Sequence, residues 1–423
     1  MKKIYERIVS IVFVVFISIT LMCSLLFNWR EMLGVMYENK DKIVNVILTS
    51  EYAKDVIESV DSAYTEGVFL RSQYIDLYGG LQRISGKSII WDSSPNKTIM
   101  IGSDGKLYSS GNITMNFADY SIDELKLDKY AEAICDLSAF AKQNGVNTLF
   151  CQAPARYDAD KVALPIRISD SSKDSVEYLY SKLKNNTDLT VLNSQMLYKE
   201  QGIDFDDLFF KTDHHWNIKT AFWAFSEICK ALNIDYDYGI SQDYYNIDNY
   251  TDYAIPSSYL GSLGVRTGGL FVGKDDFDLI YPKFETDYVK TICKVDNLGI
   301  SNGGGIQYKG TFDEVILSDI NSLKNGQKTI IFGSYVSSDR SEVIIENRKS
   351  ATGKKVLILK DSFALPVSAF LSTCFSETRL LDLRYHQEKS VKEYILDYNP
   401  DAVIVIYNPG AYNDTFFNFD KTN

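Results

Sequence analysis

Two stretches of the 423-residue chain carry residue types that move protons and acyl groups. The first, Phe209 to Asn217, reads FFKTDHHWN and sets Asp213, His214, His215 and Trp216 side by side ahead of an apolar helix pattern. On an extended backbone, residues two apart share a side, so Asp213 and His215 are expected to face one way and His214 the other. The second, Val356 to Ala364, reads VLILKDSFA, a buried strand that stops at Asp361-Ser362 and turns into a helix. A serine at such an elbow exposes its hydroxyl at the carboxyl edge of a sheet, and the free N–H groups of a helix start can hold a developing oxyanion. Together the stretches supply a nucleophile, Ser362, a base, His215, and an orienting carboxylate, Asp213. Each has a plainer reading alone. Asp-Ser after a strand is commonly a helix N-cap, and Asp-His-His serves equally as a loop anchor or a metal site.

The flanking sequence spells out a scaffold. Leu127, Tyr130, Ala131, Ile134, Leu137 and Ala141 recur at helical spacing, Asn144-Gly145 stops that helix, and the apolar run Thr148 to Cys151 follows. The same order returns at Val176 to Leu183 with Leu189 to Leu192, and Val391, Tyr394, Ile395 and Tyr398 precede AVIVIY at 402–407. Another helix runs through Ile218, Ala221, Phe222, Phe225, Cys229 and Leu232. Continuous apolar strands alternating with amphipathic helices predict an α/β fold with a parallel sheet covered on both faces. Upstream, Asp104-Gly105 lies between two β-like runs and signals a hairpin. From about 241 to 333 the alternation gives way to Tyr, Asp, Gly and Ser around Gly303-Gly304-Gly305, which predicts an irregular or β-rich insertion.

Composition removes several classes. With 44 basic and 56 acidic residues the net charge is -12, so no sequence-wide electrostatic footprint for nucleic acid exists. Neither a GxGxxG nor a GxxxxGKS/T loop occurs, and no cofactor is implied. Six Cys and three His exclude a disulfide-dense scaffold and leave little for a multi-histidine metal cage. His386 reads as a loop histidine.

From Ile8 to Phe27 twenty residues pass without a charge, about the length that spans a bilayer as a helix. Lys2, Lys3 and Arg7 precede it, which places residues 1–7 in the cytoplasm, an anchor at 8–28 and the rest outside. A cleaved signal peptide would have a shorter apolar region, and no small-x-small site follows before Asn28, Trp29 and Arg30. Ile57, Val60, Tyr64 and Val68 fall at helical intervals within 29–90, a helical stalk before an extracytoplasmic domain at 91–423.

The string Asp213-His214-His215-Trp216, followed by Asn217 and an apolar helix, resembles the signature of the DHHW family, relatives of the alginate O-acetylation proteins with an SGNH-hydrolase-like domain. IGSDGKLY at 101–108, KDSF at 360–363, LDLRY at 381–385 and PDAVIVIYN at 400–408 are similar to that family's layout, which extends from about residue 60 to the C-terminus. The resemblance implies Ser362 as nucleophile, His215 as base and Asp213 as its orienting acid. Asp and His then precede Ser, a permuted order relative to SGNH esterases. Lys360 stands where a GDS motif has glycine. Gly261, Ser262 and Asn408 are candidate oxyanion donors; Trp216, Arg266, Arg384 and Tyr385 are candidate contacts to sugar, the arginines to an acidic one. The implied activity is membrane-anchored, extracytoplasmic O-acetylation of a cell-surface or exported polysaccharide, with a membrane-bound O-acyltransferase as the acetyl-supplying partner. A carbohydrate acetyl esterase shares the same acyl-enzyme. A metal-dependent hydrolase using Asp213, His214 and His215, and a non-catalytic polysaccharide-binding or assembly protein, are the readings from other classes.

Overall fold

The computed structural model describes residues 10–24, 26, 29, 68–91, 98–109, 115–116, 122–165, 169–295, 301–386 and 388–420. The chain divides into two units, Met1–Gln82 and Arg83–Asn423. In the first, residues 10–24 are helical, Phe16 meets Tyr74 edge-on at 5.7 Å, and Ser24 Oγ accepts the Phe69 N–H at 2.9 Å. Among the described residues no helix is long and apolar enough to cross a membrane. Lys2, Lys3, Arg7 and the stalk positions Ile57, Val60 and Tyr64 lie outside the described residues.

In the second unit the expected hairpin forms from β1 (Ile99–Ile101) and β2 (Leu107–Ser109), antiparallel around Gly105 at φ +76, with the short strand Ile89–Ile90 paired to the other edge of β1. Then come α1 (Glu124–Gln143), β3 (Asn147–Gln152), α2 (Ser172–Leu183), β4 (Thr190–Asn193) and α3 (Ile218–Tyr236). Helix α1 buries Leu127, Tyr130, Ala131, Ile134, Leu137 and Ala141, the stripe its spacing predicts. Its start is capped by the Asp123 carboxylate on Lys126 N at 3.1 Å, and Gly145 at φ +74 ends it. Next follow β5 (Tyr250–Tyr259), β6 (Asp275–Pro282), β7 (Tyr288–Val295), β8 (Ser301–Gly310), β9 (Glu342–Asn347), β10 (Lys355–Lys360), α4 (Ala364–Leu371), β11 (Glu377–Leu381), α5 (Val391–Tyr398) and β12 (Ala402–Tyr407).

Eight strands form the main sheet in the order β8-β7-β9-β11-β10-β12-β3-β4. The run from β11 to β4 is parallel, as expected, but β9, β7 and β8 extend it antiparallel. The sheet is therefore mixed. Residues 241–333 supply two kinds of β-structure: among the described residues β5 and β6 pair only with each other, whereas β7 and β8 join the main sheet.

Two cores sandwich the parallel part. Along β10, Val356 and Ile358 point into one core with α3 and α4, while Leu357 and Leu359 point into the other with α1, α2 and α5. Strand β12 alternates in the same way, Ala402, Ile404 and Ile406 against Val403, Val405 and Tyr407. Burial on both faces is why both runs are apolar at every position. Helix α4 is wholly buried and seats Phe370 between Phe222 and Phe225 of α3, at 5.0 and 5.8 Å between ring centroids. This packing fixes the elbow after β10 against the loop before α3.

Candidate active site

The elbow is tied down by its own aspartate. Asp361 Oδ2 accepts Asn408 N and Nδ2, each at 2.6 Å, and Oδ1 accepts Phe363 N at 2.8 Å. The carboxyl edges of β10 and β12 are thereby joined, leaving Ser362 between them. Burial raises the Asp361 carboxyl to about 6 against the lowering effect of these donors.

The Asp-His-His-Trp segment is a compact loop, with Phe209 bridged to Trp216 and Phe210 N donating to His215 O at 3.3 Å. Thr212 anchors it: its carbonyl accepts Leu263 N and Gly264 N at 3.1 and 2.9 Å, and its N–H and hydroxyl donate to Asp275. Trp216 links loop and elbow, donating its indole N–H to Phe363 O at 2.9 Å.

The result is a hydroxyl, imidazole and carboxylate in sequence. Ser362 Oγ lies 2.7 Å from His215 Nε2, and His215 Nδ1 lies 3.2 Å from Asp213 Oδ1. The second contact is bent, so the Nδ1 hydrogen is not aimed at the carboxylate and makes no well-formed hydrogen bond. Loose contacts of this kind are common before substrate binds. His215 is held flat against Phe332, with centroids 3.9 Å apart and planes within 8°.

His214 departs from the extended-backbone expectation. The loop turns there, so the His214 N–H donates to Asp213 Oδ1 at 2.7 Å and its Nδ1 sits 3.1 Å from the same oxygen. The two imidazole centroids are 3.8 Å apart. Ser262 Oγ also donates to Asp213 Oδ1, at 2.8 Å, and Tyr259 OH donates to Oδ2. Burial alone would raise Asp213, but the two nearby imidazoles, His215 foremost, outweigh it and hold the carboxyl well below its usual range. Burial, reinforced by the neighbouring His214, pushes His215 down to about 4, against the raising influence of Asp213. The imidazole is therefore neutral at ordinary pH. Asp213, His214 and His215 place three possible metal donors within 4.8 Å of one another, although His215 Nε2 is turned to Ser362 and both Nδ1 atoms share Asp213.

Other expected site residues are distributed differently. Trp216 is fully buried, so it packs the loop onto the elbow and cannot stack on a sugar. The Gly261 N–H is spent on Thr212 Oγ1 at 2.9 Å, and the Ser262 hydroxyl on Asp213, which removes both as oxyanion donors through those groups. Asn408 stays in place: one Nδ2 hydrogen goes to Asp361 and the other has no acceptor among the described residues. Arg384 lines the cleft but is tied to Asp382 and Asp339 at 2.6 and 2.9 Å. Tyr385 is exposed beneath the Arg384 guanidinium, 5.2 Å from its ring centre. Arg266 is exposed and outside the cleft lining. Lys360 is buried between Asp339 and Asp382 at 2.6 and 2.8 Å, so the residue standing in for glycine neutralises two carboxylates behind the elbow.

The cleft over Ser362 has a volume of about 170 Å³ and is lined by Pro154, Arg156, His214, Ser362, Arg384 and Asn408 among others. Arg156, Tyr259, Phe332 and Asp275 were not marked by the sequence. Tyr259 sits two residues before Gly261 in YLGS, the one local hint of its role.

The class so defined is an α/β protein with a serine hydroxyl, an imidazole and a carboxylate aligned at the carboxyl edge of its parallel strands. Solved structures share that fold. PatB1 of Bacillus cereus, solved with a sulfonyl adduct, matches with a TM-score of 0.61 at 23% identity, covering 79% of this chain and 99% of that one. A DHHW family protein from Eubacterium siraeum matches with a TM-score of 0.56 at 17% identity, covering 80% and 99%. The likeness read from Asp213 to Trp216 thus extends to the fold. The O-acetyltransferase domain of Pseudomonas putida AlgJ matches at a TM-score of 0.39 and 11% identity, covering 74% and 91%, too low to equate the folds. No protein-family model matches the sequence. A comparison of the sequence with curated proteins gives no match either.

Proposed function

We propose that the protein is an O-acetyltransferase that carries an acetyl group on Ser362 and passes it to a hydroxyl of an exported or cell-surface polysaccharide. The observation that carries this reading is the 2.7 Å contact of Ser362 Oγ, in the wall of a cleft, with a buried, neutral His215. In the first half-reaction Ser362 Oγ bonds to the acetyl carbon as its proton passes to His215 Nε2. The Ser362 N–H, which has no acceptor among the described residues, and the spare Asn408 Nδ2 hydrogen are the oxyanion donors. The imidazolium is stabilised by Asp213, and its proton then goes to the leaving oxygen as that bond breaks. In the second half-reaction an acceptor hydroxyl gives its proton to His215 and attacks the acetyl carbon, and His215 returns that proton to Ser362 Oγ as the acyl bond breaks. Water in place of the acceptor would make the protein an esterase. The apolar run from Ile8 to Phe27 supports a membrane anchor with the domain outside the cell, and a membrane-bound O-acyltransferase is the partner that would supply acetyl groups.

Two measurements test this. An acetyl donor and a polysaccharide-derived oligosaccharide should yield an acetylated sugar, and a sulfonyl reagent, which adds to nucleophiles, should label Ser362. Release of acetate with no acetylated sugar turns the assignment to esterase; absence of labelling at Ser362 removes the serine mechanism altogether.

The pH dependence is equally specific. The base form of His215 accepts the Ser362 proton, and burial keeps that form dominant down to about 4. Turnover of a neutral acetyl ester is expected to stay level well below the ordinary imidazole range and to fall as pH drops through about 4. An acid limb in kcat/KM centred near about 6.5, the unperturbed value, contradicts this. A shoulder near 6 that vanishes in Asp361→Asn belongs to Asp361.

A further inference from the structure

Arg156 is a buried guanidinium with no carboxylate partner among the described residues. It lies in the segment after β3, is 7% exposed, and lines the same cleft as Ser362 and Asn408. Of its five N–H donors, one on Nη2 reaches Leu107 O at 3.1 Å, and Nε has no partner among the described residues. The guanidinium rests against two rings, Tyr108 at 4.9 Å and Phe209 at 5.0 Å.

Three carboxylates are close enough to favour its charge, Asp104, Asp213 and Asp275, but none pairs with it. Each is committed elsewhere. Asp104 accepts Tyr108 OH at 2.6 Å and Lys106 N at 3.1 Å. Asp213 holds the histidines, Ser262 and Tyr259. Asp275 accepts Lys211 N at 2.6 Å and Thr212 N at 2.8 Å. The buried Lys106 nearby adds repulsion. The cleft's other arginine, Arg384, already has Asp382 and Asp339. An ion taken out of water without a partner is strongly unfavourable, so a guanidinium kept in this state at the wall of a binding cleft calls for a counter-ion from the ligand. Its planar fork, fixed between two rings, suits an oxyanion with two acceptor oxygens.

We infer that Arg156 is an anion-binding residue of the acceptor cleft, taking the carboxylate or phosphate of an acidic saccharide whose hydroxyl is presented to Ser362. The inference rests on the acyl-transfer reading for the hydroxyl and not for the anion. It would make Arg156 the residue that selects acidic acceptors over neutral ones.

The test is a calorimetric titration of the full chain with three oligosaccharides of equal length, one bearing uronate carboxylates, one phosphorylated and one neutral. Wild type is expected to bind at least one acidic ligand about ten-fold or more tighter than the neutral one, with the preference weakening as salt is added. Whichever acidic arm binds tighter identifies the anion. The preference should fall about ten-fold in Arg156→Gln and be partly kept in Arg156→Lys, which preserves charge but not the fork. Equal binding of acidic and neutral ligands by wild type overturns the assignment, and so does a preference that survives either substitution undiminished. Binding requires no turnover, so an inert Ser362 would defeat the acyl-transfer reading and leave this test standing.

Discussion

Ser362→Ala is expected to lower turnover of an acetyl ester by about a thousand-fold or more, with the melting temperature essentially unchanged. The magnitude follows from losing the covalent route: a thousand-fold is about 4 kcal/mol of barrier, and the cleft and oxyanion donors retain only the remainder. The small effect on stability follows from the contacts. The only side-chain bond of the Ser362 hydroxyl among the described residues is to His215 Nε2, and the elbow is held by Asp361 instead. His215→Ala should cost about as much, and the double variant little more than either alone, because hydroxyl and imidazole act as one unit. Asp213→Asn should behave differently. Its carboxylate takes donors from His214 N, Ser262 and Tyr259 besides facing His215, so thermal stability should drop together with rate. Initial rates on a small acetyl ester and thermal melts of the four proteins decide the matter. More than about a tenth of wild-type rate in Ser362→Ala means that another group does the chemistry.

What the sequence makes legible depends on how local its physical cause is. Val356 to Leu359 and Ala402 to Tyr407 announce themselves because a strand buried on both faces must be apolar at every position. The antiparallel flank does not. In β7, Lys290 is buried yet satisfied by Ser337 Oγ at 2.8 Å, a partner remote in sequence, and in β8 the three glycines mask the strand. Ser362 and His215 can be named from their neighbours, since an elbow serine and a histidine beside aspartate are local patterns. The conformation of His214 cannot, because it is set by Thr212 bonding to residues 263, 264 and 275. Trp216 looks like a sugar platform until its indole is seen donating to Phe363, 147 residues away. Arg156 in QAPARYD has no periodicity to betray it; only the rings and the committed carboxylates around it give it meaning.

Gly261→Ala is expected to reduce ester turnover by about a hundred-fold, through displacement of a carboxylate that Gly261 never contacts by hydrogen bond. Its backbone is ordinary, with φ -70, so the requirement is space alone. A Cβ built there would fall 2.3 Å from Asp213 Cβ and 2.7 Å from Asp213 Cα, distances that real side chains do not reach. Asp213 cannot retreat as a flexible side-chain tip would, because the clash includes its own backbone. The Gly261 side cannot retreat freely either: its N–H is bound to Thr212 Oγ1, and the next residues return N–H groups to the Thr212 carbonyl. The strain must therefore move the loop that carries His215, whose contact with Asp213 is already loose at 3.2 Å. A destabilisation of about 1–3 kcal/mol is expected alongside, the usual range for overpacking a filled site. Gly353→Ala is the matched control, since a Cβ there meets nothing within 4 Å. Comparison of kcat/KM and melting temperature across wild type, Gly261→Ala and Gly353→Ala checks the argument. Full activity in Gly261→Ala would mean that Asp213 can shift without consequence, and that the orienting carboxylate is not what aligns His215 with Ser362.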